Sequence, residues 1–144
     1  MGLLEIASGN SLWRGYDYYK DSKVKTWQKS DDGHYIGVVE GSEGNLYQVT
    51  IDLKHPKKSQ CDCPHAEGSR RVCKHKVALY FSAFPEEADR LIKEAEEWEA
   101  EEEKRWHEEC ADVRKYVNSL SKKELQEELY NRIIEEKERR NWYY

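Results

Sequence analysis

Four residues with side chains that bind soft metal ions lie within one short segment of the chain. The segment CDCPHAEGSRRVCKH contains Cys61 and Cys63, a gap of nine residues, and then Cys73 and His75. A catalytic dyad uses one thiol and a disulfide uses two, whereas a tetrahedral zinc site uses four sulfur and nitrogen ligands. The spacing therefore predicts one zinc ion bound by all four side chains.

Local geometry favours two pairs of ligands. Alternate residues of an extended strand point to the same side about 6.6 Å apart, so Cys61 and Cys63 can reach one ion while Asp62 points away. Cys73 and His75 can supply the other two ligands from a turn that leads into a helix. Four protein ligands close the zinc shell and leave no position for water or substrate, so we expect a structural ion and no enzyme.

Two alternatives compete with this assignment. His65 lies two residues after Cys63 and could replace a ligand. The simpler assignment places its side chain in solvent or next to the four ligands. Cys110 and His107 lie three residues apart in a glutamate-rich segment that could suggest a second metal site. Cys110 is more simply a small buried hydrophobic residue on an apolar stripe. The sequence has no hydrolase nucleophile motif and no phosphate-binding loop.

The composition indicates a small core. The 144 residues are 38% hydrophobic and 37% charged, with a mean hydropathy of -1.06. The formal net charge of -5 argues against indiscriminate binding of nucleic acid or membranes by the whole chain. The start, MGLLEIASGNSLW, resembles neither a signal peptide nor a membrane span, so we expect a cytoplasmic protein whose cysteines are metal ligands or thiols rather than disulfides.

The apolar patterns predict an α+β fold. Ser11 is the expected N-cap of a short helix. Residues of that helix at core-like spacing are Leu12, Trp13, Tyr16 and Tyr19. Three runs separated by turn sequences predict antiparallel strands: KVKTWQ, HYIGVVEG and LYQVTIDL. We expect a sheet of three or four strands, with a zinc-bound finger and a helix after His75 that covers the sheet.

The sequence changes character at Pro85. Residues 1–84 hold 12 basic and 10 acidic side chains, whereas residues 85–144 hold 12 and 19. This predicts a zinc-finger domain over residues 1–84 and an acidic helical region over residues 85–144. One helix starts at Pro85 and another at Ser121, which can form a capping box with Glu124. We expect a C-terminal helical hairpin that packs an apolar stripe on itself or on the sheet: Leu91, Ala95, Trp98, Trp106, Cys110, Val113, Val117 and Leu120.

The run CDCP...CKH before an apolar helix resembles the SWIM zinc finger, whose pattern is Cys-x-Cys-x(n)-Cys-x-His. RGYDYYKDSKV is similar to the aromatic helix that precedes this finger in bacterial SWIM proteins, and LSKKEL resembles a helical segment that often follows it. The resemblance implies one structural zinc ion bound by Cys61, Cys63, Cys73 and His75. Family members accompany Swi/Snf-type ATPases, Mutator-type transposases and some ubiquitin ligases, which implies DNA-binding or protein-interaction roles.

The predicted finger is basic. Residues 54–76 hold seven basic side chains against two acidic ones. The leading hypothesis is a module that binds nucleic acid, DNA in preference to RNA, through phosphate contacts. The expected contacts are Lys57, Lys58, Arg70, Arg71, Lys74 and Lys76. The alternative interpretation is that these basic residues only keep the finger in solution and screen the thiolate charges.

A second hypothesis is an adaptor that binds a protein partner in a larger DNA-processing or chromatin-type ATPase complex. The acidic helical region favours this interpretation, and it could also cover the basic finger and compete with nucleic acid. A third possibility is a fragment or a short relative of a longer SWIM protein whose other part holds the main activity. Neither a membrane nor a small-molecule substrate is an expected partner.

Overall fold

A computed structural model describes residues 2–142 and has the expected α+β architecture, so the last two positions of the predicted region 85–144 lie outside it. The chain divides into two compact units, Met1–Lys93 and Glu94–Tyr144. Among the described helices, none is long and apolar enough to cross a membrane. The elements, in chain order, are α1 (Leu3–Ile6), α2 (Gly9–Lys20), β1 (Val24–Asp31), β2 (His34–Glu40), β3 (Leu46–Asp52), β4 (Gln60–Cys61), α3 (Lys74–Ala83), α4 (Pro85–Ser119) and α5 (Lys122–Asn141).

The strands form one antiparallel sheet in the order β1-β2-β3-β4. The three predicted strands are confirmed, and β4 adds a short fourth one. Gly33 and Gly44 lie in the turns between the first three strands with φ angles of 78° and 81°, a left-handed conformation that favours glycine. Val49 and Ile51 of β3 are fully buried, as their alternation predicts. Val49 lies opposite Cys61 in the pairing of β3 with β4, so the sheet fixes the first cysteine.

Asp52 follows the buried Ile51 in β3 and is itself only 7% exposed. Its Oδ1 accepts hydrogen bonds from the backbone N–H groups of His55 and Lys54, each at 2.9 Å. The bond from His55 is the main cause that holds the pKa of Asp52 below its usual value. The backbone N–H of Asp52 donates to Ser59 Oγ at 3.0 Å. Asp52 therefore fixes the segment between β3 and β4, which includes a 3₁₀ turn at Pro56–Lys58.

The N-cap of α2 lies three residues before the predicted one, Ser11. Ser8 is the N-cap, and its Oγ accepts the backbone N–H of Ser11 at 3.1 Å. Ser11 itself lies inside the helix and is buried. Trp13, which the helical spacing placed in the core, is 40% exposed. The other predicted core residues of α2 do pack against the buried cluster: Leu12, Tyr16 and Tyr19.

The helix α3 supplies much of the core between α2 and the sheet. Its fully buried aliphatic and aromatic residues are Val77, Ala78, Leu79 and Phe81. Tyr16 and Tyr19 of α2 each contact Phe81, with ring centroids 6.2 and 6.1 Å apart. The helix that carries the second pair of predicted ligands is thus packed on both sides.

The helices of the second unit are confirmed, but their apolar side chains stay exposed. α5 begins with the predicted capping box, in which Glu124 N–H donates to Ser121 Oγ at 3.2 Å and Ser121 N–H donates to the Glu124 carboxylate at 2.7 Å. Trp106, Val113 and most other members of the apolar stripe beyond Lys93 are exposed. Cys110 is also exposed, contrary to the prediction of a buried residue, because the helical period identifies an apolar face but not what covers it.

The helices α2 and α3 approach each other closely at Gly15. A Cβ atom added there would lie 2.4 Å from Val77 Cβ and 2.9 Å from the carbonyl oxygen of Lys74. We expect Gly15→Ala to push the helices apart and lower the free energy of unfolding by about 1–3 kcal/mol, although alanine is the better helix former. Gly9→Ala is the matched control, because nothing lies within 4 Å of its added Cβ. Urea unfolding of the zinc-loaded proteins measures both, and equal stability of the two variants would contradict the close packing.

Candidate metal centre

The structure brings the four predicted ligands together where β4 ends and α3 begins. One side-chain donor atom from each of Cys61, Cys63, Cys73 and His75 lies within 4.8 Å of the others, and all four residues are buried. Cys61 Sγ and His75 Nδ1 are 3.8 Å apart. Tetrahedral zinc with bonds of about 2.3 Å to sulfur and 2.0 Å to nitrogen separates a sulfur ligand from a nitrogen ligand by about 3.5 Å. This buried set of soft donors fits one structural zinc ion.

Two different elements hold the two ligand pairs. Cys61 lies in β4, and the next residue turns away as predicted: Asp62 is exposed, and its carboxylate accepts the N–H of Gln48 at 2.9 Å. Cys73 is the N-cap residue of α3, and His75 lies in its first turn. A metal ion at this site therefore joins the edge of the sheet to the start of the covering helix.

Two tyrosines hold the imidazole of His75. The Tyr18 ring of α2 and the Tyr47 ring of β3 lie with their centroids 5.5 and 4.8 Å from that of His75. Helical periodicity left Tyr18 outside the predicted core stripe. Local sequence patterns could not predict this contact, because Tyr18 and His75 lie far apart in the chain. Aromatic packing from both elements fixes the ring and keeps it buried.

His65 is not one of the clustered ligands. Its side chain is exposed, and its backbone N–H donates to the sulfur of Cys63 instead, together with that of Ala66. The backbone N–H of Lys76 makes the same kind of bond to Cys73. Such bonds favour the thiolate form, which is the form that binds metal.

Hydrogen bonding and burial shift the pKa values of the three clustered thiols in opposite directions. The pKa of Cys73 is lowered to about 3, first because the Cys61 thiol donates a hydrogen bond to it. The same bond raises the pKa of Cys61, and burial raises the pKa of Cys63. A bound dication removes this conflict because it stabilises every thiolate at once.

Lys76 was predicted to contact phosphate, and the structure corrects this. The residue is 0% exposed, and its Nζ donates to the carbonyl oxygen of Arg71 at 2.6 Å. Burial lowers the pKa of Lys76, while the negative charge of the thiolates opposes that effect. Because α3 starts at Lys74, position 76 lies about one turn beyond the ligand Cys73 and on the same side. Zinc with three thiolates and a neutral imidazole carries one net negative charge, which this buried ammonium offsets.

The other predicted basic contacts fall on different surfaces. Lys74 Nζ lies 4.7 Å from the ring centroid of Tyr18, beside a cavity of about 180 Å³ that also reaches the ligands. Arg71 is exposed and lies on the loop before Cys73. The remaining three line two neighbouring grooves of about 760 and 350 Å³: Lys57, Lys58 and Arg70.

No second cluster of metal ligands forms around Cys110 and His107 within residues 2–142. His107 Nδ1 instead lies 2.8 Å from the backbone oxygen of Glu103, one turn earlier in the same helix. Cys110 therefore serves as a control for the three clustered cysteines.

Replacement of one ligand tests the zinc assignment. We expect Cys73→Ser to lose zinc and to loosen residues 54–84, because the binding of structural zinc is coupled to folding. Cys110→Ser, which changes an exposed thiol, should keep one zinc per chain and the same melting temperature. Elemental analysis and thermal melting measure both effects. Unchanged metal content and melting in Cys73→Ser would contradict the assignment.

Replacement of Lys76 tests charge balance beside the site. We expect Lys76→Met to lower zinc affinity by about 10-fold to 100-fold, as residues that support metal ligands commonly do. Lys74→Met makes the same chemical change where the ammonium lies over Tyr18, and it should change zinc affinity little. Competition with a chromophoric chelator measures both, with circular dichroism as a check on folding. Equal zinc affinity of the two variants would remove Lys76 from this role.

Comparison with known proteins gives an independent assignment. The SWIM zinc finger family matches residues 47–84, a range that contains all four clustered ligands. Searches of curated proteins and of solved structures found no match. The similarities of RGYDYYKDSKV and LSKKEL to SWIM proteins lie outside the matched range and stay predictions. Residues 47–84 of this chain therefore match the SWIM zinc finger, and the four clustered side chains occupy its ligand positions.

Proposed function

We propose that this chain is a zinc-stabilised module that binds nucleic acid through the phosphate backbone, DNA in preference to RNA. Its zinc ion would have a structural role, since four protein ligands complete a tetrahedral shell. The finger would then offer a surface for binding rather than a catalytic centre. The observation that carries the proposal is the pair of grooves lined by Lys57, Lys58 and Arg70.

These three cations are available to an anion. Lys57 and Lys58 lie in the 3₁₀ turn, Arg70 lies in the loop between the ligand pairs, and all three are exposed. In the described part of the chain, none of them has an ion-pair partner. The groove of about 350 Å³ has no acidic residue in its lining, whereas Asp62 and Glu67 line the larger one. The smaller groove is therefore the better phosphate site.

Both sides of the smaller groove are tied to rigid parts of the fold. Asp52 fixes the segment that carries the two lysines, as described above. The loop that carries Arg70 is held by the bond from Lys76 to the Arg71 carbonyl and by that from Ser69 Oγ to the Ala66 carbonyl at 3.1 Å. Gly68 turns this loop with a φ of 68°. A groove held in this way loses little conformational entropy when it binds a ligand.

A protein-interaction adaptor is the second candidate function. The exposed apolar stripe and the acidic balance of residues 85–144 favour a protein partner rather than a phosphate backbone for this region. This partner would belong to a larger DNA-processing complex. The two candidate functions concern different surfaces, so one binding experiment on the finger can separate them.

Charge reversal in the groove tests the nucleic-acid proposal. We expect Lys57→Glu with Lys58→Glu to weaken binding to a labelled DNA duplex by at least about tenfold and to reduce the salt slope by about 2, because two phosphate contacts are lost. Zinc content and melting should stay unchanged, since both side chains are exposed. Lys122→Glu with Lys123→Glu is the matched control, with the same change in charge at exposed positions of α5.

Fluorescence anisotropy across a salt series distinguishes the outcomes. For the unaltered chain we expect a log-log slope of about -3 to -4, which corresponds to about four phosphates. Tighter binding to RNA of the same length would reverse the stated preference. An equal loss in the two double variants would assign the effect to net charge, and no binding at low salt would favour the adaptor.

A further inference from the structure

One face of the sheet is covered by α3, and the opposite face is open. The register of the strands defines which residues share the open side, because directly opposed residues point the same way. Within residues 2–142 none of its seven central residues is buried, and Ile36 among them is 41% exposed. We call these seven residues the open face. One row across the sheet is Gln28, Ile36, Thr50 and Gln60, and the next is Thr26, Val38 and Gln48.

The open face has no charge of its own. None of its seven residues is ionisable, although 37% of the whole chain is charged. The charged side chains at its two ends are paired with each other. Lys25 Nζ lies 2.9 Å from the Glu40 carboxylate, and His34 Nε2 lies 3.3 Å from that of Asp52. A ligand of this face would therefore be recognised by hydrogen bonds and apolar contacts rather than by charge.

Three side-chain amides on the open face lack hydrogen-bond partners. In the described part of the chain, the amide groups of Gln28, Gln48 and Gln60 are not bonded to any other group of the protein. Each amide offers two donor hydrogens and one acceptor oxygen, which suit the edges of nucleic-acid bases. Ile36 and Val38 lie between the amides in β2 and offer apolar surface to the planes of bases.

The open face continues into the basic grooves. The turn that carries Lys57 and Lys58 is fixed to Asp52 by Ser59, and Asp52 lies two residues after Thr50 on the same side of β3. Cations and amides thus form one continuous surface. The groove of about 760 Å³ is lined both by the three basic residues of the proposed phosphate site and by three residues of the open face: Gln48, Thr50 and Gln60.

We propose that the open face binds the unpaired bases of a single DNA strand whose phosphates lie against Lys57, Lys58 and Arg70. The inference rests on the proposed function, to which it adds the strandedness of the nucleic acid and the residues that contact its bases. Four strands about 4.8 Å apart span about 14 Å, which is too broad for a major groove about 12 Å wide. Unpaired bases can spread over such a face, and four-stranded sheets that bind nucleic acid hold about two or three of them.

The same arrangement gives the acidic residues of the larger groove a role. Asp62 and Glu67 line that groove and would repel a phosphate placed there. A carboxylate instead accepts hydrogen bonds from the amino groups of bases such as cytosine. Asp62 extends the second row of the open face, because its backbone N–H donates to the Gln48 carbonyl oxygen at 3.3 Å. We therefore assign the bases to the larger groove and the phosphates to the smaller one, whose lining has no acidic residue.

A strand without bases tests the inference directly. We expect fluorescence anisotropy to show that the zinc-loaded chain binds a labelled single strand of DNA at least about tenfold more tightly than a duplex of the same length, because base contacts add to phosphate contacts. An abasic strand with the same number of phosphates should lose this advantage. Equal affinity for the normal and the abasic strand would overturn the inference and leave the proposed phosphate groove intact.

Removal of amides tests the residues assigned to base contacts. Gln28→Ala with Gln48→Ala should weaken binding of the single strand by about fivefold or more and leave binding of the duplex unchanged. The salt slope, the zinc content and the melting temperature should stay the same, because no phosphate contact is lost and both side chains are exposed. Gln126→Ala with Asn131→Ala is the matched control, since both amides are exposed on α5. Unchanged single-strand affinity in the first variant would overturn the assignment.

The groove variant separates failure of this inference from failure of the proposed function. Lys57→Glu with Lys58→Glu should weaken binding of the single strand, the abasic strand and the duplex alike, and should reduce the salt slope of each. If it weakens all three while the amide variant weakens none, the open face is excluded and the phosphate groove stands. If it weakens none, the proposed function fails together with this inference.

Discussion

The crowding of three thiols and one imidazole into a buried site is the constraint on which the finger depends. Their donor atoms lie within 4.8 Å of one another. The hydrogen bond from the Cys61 thiol to Cys73 lowers the pKa of Cys73 and raises that of Cys61, so ionisation of one thiol opposes ionisation of the other. Backbone N–H groups help, and Lys76 adds one buried positive charge. A bound dication balances the remaining thiolate charge, so metal binding and folding of the finger are coupled.

This constraint also explains how a chain with little apolar material can hold a loop in place. The ligands join β4 to α3, and apart from the ligands themselves the intervening loop contributes Ala66 and Val72 to the buried cluster. A loop with so little buried surface would ordinarily be mobile. Zinc at its two ends and the bond from Lys76 to the Arg71 carbonyl restrict it, so that Arg70 can face the lysines of the 3₁₀ turn in a lasting arrangement.

The parts of the structure that could be predicted from the sequence are those set by local spacing. The ligand set was visible because all four residues fall within one segment, and the strands were visible because β3 alternates and glycines mark the turns. The burial of Lys76 could not be predicted from its residue type, since lysine is almost always exposed. Its place one turn after Cys73 was the only local signal. The contact between Tyr18 and His75, and the burial of Ser11, depend on the packing of α2 against α3, which no local pattern specifies.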